Sequence, residues 1–179
     1  MILSIAIFIL MQTDYILTIV GNRLKNKKYS EYFVFDSYEL NPLHKKNMEK
    51  NKVFNFWYIF ASVFLSLAVY TVTVYGRENL AEFMAGGLLI HYTILISRHL
   101  SNIITFSVFE RKNSLVEGRI RLSGKYSLLI SRLNYMSFAV VLAVISIFSF
   151  SYFVLGGLVM SILMFFAHFL WELAGSKSG

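Results

Sequence analysis

Between Leu133 and Trp171 the chain runs for 39 residues without a formally charged side chain. As a single α-helix this run would be about 58 Å long, roughly twice the hydrocarbon thickness of a bilayer. It must therefore fold back on itself. Gly156-Gly157 is the natural break, because glycine accepts turn geometry and Ser149, Ser151 and Tyr152 before it suit an interface. The expected spans are 133–153 and 157–174. The whole chain shares this character, with 179 residues, 56% of them hydrophobic and 15% charged. A mean hydropathy of +0.59 leaves too little polar surface for a water-soluble domain, so lipid is the expected solvent.

Three more stretches are long enough to span. Residues 1–20 lack a basic leading region and a small-residue cleavage site, and they carry Asp14, so they read as a retained helix rather than a signal peptide. Residues 53–75 are uninterrupted, with Trp57, Tyr58 and Tyr75 placed for the two interfaces. Residues 83–109 contain Arg98 and His99 and would rise about 40 Å, so this helix must tilt or run past the bilayer. Loops 21–52 and 110–132 hold most of the Lys and Arg, whereas the link after the second span has only Arg77. Since basic loops stay inside, five spans with the amino terminus outside put both loops and Lys177 in the cytoplasm. The expected fold is all-α, a polytopic transmembrane bundle forming one membrane domain over 1–179 in the cell membrane. Four spans would leave one helix of implausible length and Lys177 outside.

The net charge of +7 lies in connecting segments that face anionic lipid headgroups, which argues against a nucleic-acid partner. In GRIRLSGKY, basic and apolar residues alternate as in a short hairpin strand or an interfacial segment. Arg119, Arg121 and Lys125 there could hold lipid phosphates, although positive-inside topogenesis alone would also explain them. With no cysteine, disulfides, thiolate metal sites and cysteine nucleophiles are excluded.

Charged groups cost about 2.5 to 3.5 kcal/mol at membrane depth, so those retained there often mark a site. The candidates are Asp14, His91, Arg98, His99, Asn102, His168 and Glu172. His91, Arg98 and Asn102 fall within about 40° of one another on a helix, with His99 at the edge of that face. In the proposed orientation all lie in the cytoplasmic half, with His91 nearer the middle. They could line one polar pocket. More plainly, Arg98 and Glu172 snorkel to headgroups while Asp14 pairs with Arg98 to tie helices together. His168 and Glu172, spaced i, i+4, could bind a divalent cation with Asp14 or His99 completing the shell. No nucleophile elbow accompanies the many serines. In the first loop, Pro42 ends any helix and extends Asn41. If the ELNP turn dips into the bilayer, Glu39 and Asn41 could reach the pocket; otherwise it is a surface turn.

Asp14 and Thr18 in the first span, followed by Glu39, Asn41 and Pro42, resemble the pattern of a family of small prokaryotic multi-pass membrane proteins of unknown function. The resemblance covers the first third of the chain and implies that these positions act together, without supplying an activity. Three functions fit the sequence. The chain could bind and move an ion or small solute through the polar pocket, as a homo-oligomer because five spans are few. It could be a membrane-embedded, metal-assisted enzyme acting on a lipid or other membrane substrate. Or it could be an accessory subunit whose polar residues hold a partner. Transport requires a wet path from His91 to the outside. Catalysis requires a closed outer half and convergence of three among Asp14, Glu39, His99, His168 and Glu172.

Overall fold

The computed structural model describes residues 2–35, 55–111, 118 and 120–175. Five helices in it are long and apolar enough to cross a membrane, as a multi-pass membrane protein requires. They are α1 (Ile2–Leu24), α2 (Phe56–Tyr75), α3 (Glu78–Arg111), α4 (Gly124–Phe148) and α5 (Tyr152–Gly175). Several hydroxyls inside these apolar helices are satisfied by their own backbone. Thr13, Thr71, Thr105, Ser137 and Ser146 each donate to the carbonyl four residues earlier. Such back-bonding lets a serine or threonine sit in lipid without a partner helix.

Helix α3 is the hub. It packs on α1 and α2 on one side and on α5 on the other, while α4 packs on α5. An apolar cluster of Ile7, Met11, Val69, Leu88 and Tyr92 joins α1, α2 and α3. The outward faces are lipid-like, as on α4, where Phe138, Val141, Val144 and Ile145 are exposed. With 34 residues α3 is about 51 Å long, so it does run beyond a bilayer core.

The reversal between the last two spans is not at Gly156-Gly157 but at Ser149–Ser151. Helix α4 closes as the Ser149 N–H bonds the Ile145 carbonyl. Ser151 then starts α5, its Oγ accepting the Phe153 N–H at 3.1 Å and its carbonyl accepting from Leu155 at 3.0 Å. Serine can cap exposed helix ends and glycine has no side chain to do so. The glycines serve packing instead. A Cβ on Gly156 would lie 1.9 Å from the Phe83 carbonyl oxygen, and one on Gly86 would lie 1.8 Å from that of Phe153. Backbones of α3 and α5 thus meet where only glycine fits, the small-residue packing of membrane helices. The fourth span also begins earlier than residue 133, because Ser123 caps α4 by accepting the Tyr126 N–H. Residues 124–132, expected in a loop, are helical.

At the opposite end the chain leaves α1 through a kink at Lys27 (φ −86°, ψ −142°) and one helical turn, Ser30–Tyr32. It then forms β1 (Phe33–Phe35), which pairs in parallel with β2 (Ile120–Leu122), Val34 opposite Arg121. The alternating segment near Arg121 is therefore a strand, but its partner comes from the first basic loop and no hairpin joins them. The two basic loops meet at one end of the bundle. Glu39, Asn41, Pro42 and Arg119 lie outside the described residues.

Candidate functional site

The polar groups on the long apolar helices gather in the half of the bundle nearest these strands, on two sides of α3. Arg98 and His99 are consecutive, so they stand at one level, about 1.5 Å apart along the axis, and point to different neighbours.

On the α1 side, His99 is buried, with Nε2 3.1 Å from Thr18 Oγ1 and 3.3 Å from Asp14 Oδ1. Thr18 has one hydroxyl proton, donated to the Asp14 carbonyl oxygen at 2.9 Å. Its oxygen can then only accept, so His99 Nε2 carries a proton and donates it. Tyr58 of α2 closes this group, donating to the Met11 carbonyl at 3.0 Å and lying 3.4 Å from Asp14 Oδ2. Its ring stacks on Tyr15 with centroids 4.7 Å apart. Tyr58 is thus turned inward, unlike the exposed Trp57 and Tyr75 with which it shares an apparent interfacial role. One turn along α2, Ser62 is fully buried and receives a hydrogen bond from Gln12 at 2.9 Å.

On the α4–α5 side, Arg98 Nη1 donates to Ser131 Oγ at 2.5 Å, and Ser131 Oγ lies 3.3 Å from His168 Nε2. His168 Nδ1 is 2.7 Å from the Met164 carbonyl, which can only accept, so the ring proton is on Nδ1. The neutral ring then presents its Nε2 lone pair to the Ser131 hydroxyl. The order is Arg98 to Ser131 to His168 to the α5 backbone, each donor matched to an acceptor. One turn away, Tyr135 bonds His91 Nδ1 at 3.1 Å and stacks between His91 and His168. Ser131, Tyr135 and His168 are all buried.

Several expectations change here. Asp14 does not pair with Arg98 but with His99. Glu172 belongs to neither group and binds Arg132 at 3.0 Å. The Arg132 guanidinium also lies over the rings of Phe165 and Phe169, at 5.2 Å from the nearer centroid. A carboxylate and two π-faces offset its charge at this depth. Consequently His168 and Glu172 do not share a ligand shell with Asp14, and among the described residues no three of His, Asp and Glu converge to hold a metal. Asn102 is half-buried and joins neither group's bonds among the described residues. Ser131, Arg132 and Tyr135 were not legible as site residues, since they fall at the start of an apolar run without a motif. Arg121 and Lys125 are exposed at the strand end.

Buried hydroxyls and imidazoles matched in this way can hold a polar ligand or pass a proton, and in the far half α3 and α5 meet closely at the glycine crossing. No family model, curated protein or solved structure matches the chain.

Proposed function

We propose that this chain is a multi-pass protein of the cell membrane, amino terminus outside and carboxyl terminus cytoplasmic, that binds a small solute or ion at the polar centre around Arg98 and His99. The observation that carries this reading is the placement of two hydrogen-bonded polar groups at one level of one helix, in the half nearest the basic loops. Charges at such depth are costly, so those retained there commonly mark a binding site or pathway. Access is from the basic-loop end. Helices α3 and α5 meet closely at Gly86 and Gly156 in the other half, so movement of the ligand between them across the membrane needs that contact to separate. The enzyme reading ranks second. The close packing of α3 on α5 in the far half favours it, but the convergence of three acid, base or metal-binding residues that it requires is not found among the described residues.

The chain has no cysteine, so single cysteines report access cleanly. Thiols react as thiolates, which form only where water reaches them. Asn102→Cys, one turn from Arg98 and only half-buried, should react with a membrane-impermeant methanethiosulfonate in opened membranes, while Leu67→Cys on the exposed apolar face of α2 should not. Equal inertness of both would remove the binding centre.

A further inference from the structure

Two arginines sit at the membrane-spanning level, and they are treated differently. Arg132 has a carboxylate and two aromatic faces. Arg98 has a hydroxyl. Its one described hydrogen bond is to Ser131, and it makes no ion pair with a carboxylate among the described residues. A guanidinium offers five N–H donors in a rigid fork, so most of this fork is uncommitted. Arg98 is only partly buried, which leaves those donors open to whatever lies beside α3. It is not an arginine that merely snorkels to the surface, because its Nη1 is anchored on a serine that is 2% exposed and itself backed by His168. Asp14 contributes negative charge to this region, but its oxygens face His99 and Tyr58 on the other side of α3.

Asn102 stands one helical turn from Arg98 on the same face, toward the basic loops. Its amide is half-buried, and no hydrogen bond is described for it. A positioned fork, an amide beside it and a basic end beyond it, where Arg121 and Lys125 are exposed, match an oxyanion rather than a cation. We infer that Arg98 and Asn102 receive a carboxylate or phosphate group, held bidentately by the free edge of the guanidinium. This rests on the binding centre proposed above and names its ligand class. The oxyanion belongs either to a free solute entering from the loop end or to the headgroup of an anionic lipid.

The purified full chain would be melted in nanodiscs of phosphatidylcholine with rising sodium phosphate or sodium acetate, against sodium chloride at matched ionic strength. A second arm would replace part of the phosphatidylcholine with phosphatidylglycerol. The expected result is a rise in Tm beyond that of chloride in one arm, lost in Arg98→Gln and kept in Arg121→Gln. A rise in the first arm identifies a free anion and a rise confined to the second a lipid headgroup. Asn102→Ala, which removes a partly open side chain, should raise the concentration needed for half the shift by about tenfold and keeps the test decisive if Arg98→Gln does not fold. No rise in either arm, or a rise indifferent to Arg98 and Asn102, overturns the assignment. If that happens while Asn102→Cys still reacts from water, only the ligand class falls; if Asn102→Cys is inert, the binding centre falls with it.

Discussion

His99 of α3 faces α1, His168 of α5 lies on the other side of α3, and the two carry their protons on different ring nitrogens. For His99 the reason is Thr18, whose only proton goes to the Asp14 carbonyl, so that its oxygen must accept from Nε2. For His168 the reason is the Met164 carbonyl, which obliges Nδ1 to donate. Each tautomer is thus dictated by a helix backbone through one intermediate at most. Nitrogen-15 NMR of histidine-labelled protein, with signals assigned through His99→Gln and His168→Gln, should find Nε2 of His99 and Nδ1 of His168 protonated. A His168 ring protonated at Nε2 alone would contradict the Arg98–Ser131–His168 order and leave Ser131 without an acceptor for its proton.

At the scale of elements, the contact between α3 and α5 sets the geometry of the second polar group. Its closeness depends on glycines whose hydrogens face carbonyl oxygens. Gly86→Ala and Gly156→Ala would each push a methyl to under 2 Å from a backbone oxygen, so the helices must separate. The expected loss is about 1 to 3 kcal/mol, the usual cost of overpacking. Gly87→Ala is the internal comparison. Its Cβ would meet the Gly156 oxygen at 3.2 Å, a tight contact that a small shift relieves. The gain of about 0.5 to 1 kcal/mol from replacing a helical glycine offsets that cost, leaving this variant near neutral. Thermal melting of the three in one detergent checks the ranking; Gly86→Ala as stable as the wild type would mean that the close approach is absent.

For the whole molecule, the parallel pairing of β1 with β2 links the two basic loops through residues 87 apart in sequence, Phe33 being opposite Ile120. Segments that pair in this way emerge on one side of the bundle, as the positive-inside distribution requires of two basic loops. The proposed orientation then has a direct check. In intact cells Arg77→Cys, in the link between α2 and α3, should react with an impermeant thiol reagent, and Gly118→Cys should react only after the membrane is opened. Labelling with the sides exchanged would invert the orientation; labelling of both positions from outside would break the odd number of spans between these loops and the link.

The number of long apolar helices and the grouping of the basic loops were legible in the sequence, because both follow from one-dimensional properties. An uncharged run of 39 residues exceeds one bilayer crossing whatever its partners, and lysines near a membrane bias its insertion without tertiary contacts. The helical spacing that sets His91 and Arg98 on one face is equally local, and both do meet α4. What the sequence could not supply is which face meets which neighbour. Asp14 and Arg98 look like partners by charge, yet the rotation of α3 brings His99 to Asp14 and Ser131 to Arg98. Glu172 looks like a ligand beside His168 until Arg132 is seen to neutralise it. Gly156-Gly157 reads as a turn for the same reason, since glycine permits both a reversal and a close crossing. Only the tertiary structure chose between them, by bringing the Phe83 backbone where a side chain would otherwise stand and leaving the reversal to Ser149 and Ser151, which can cap the helix ends that it exposes.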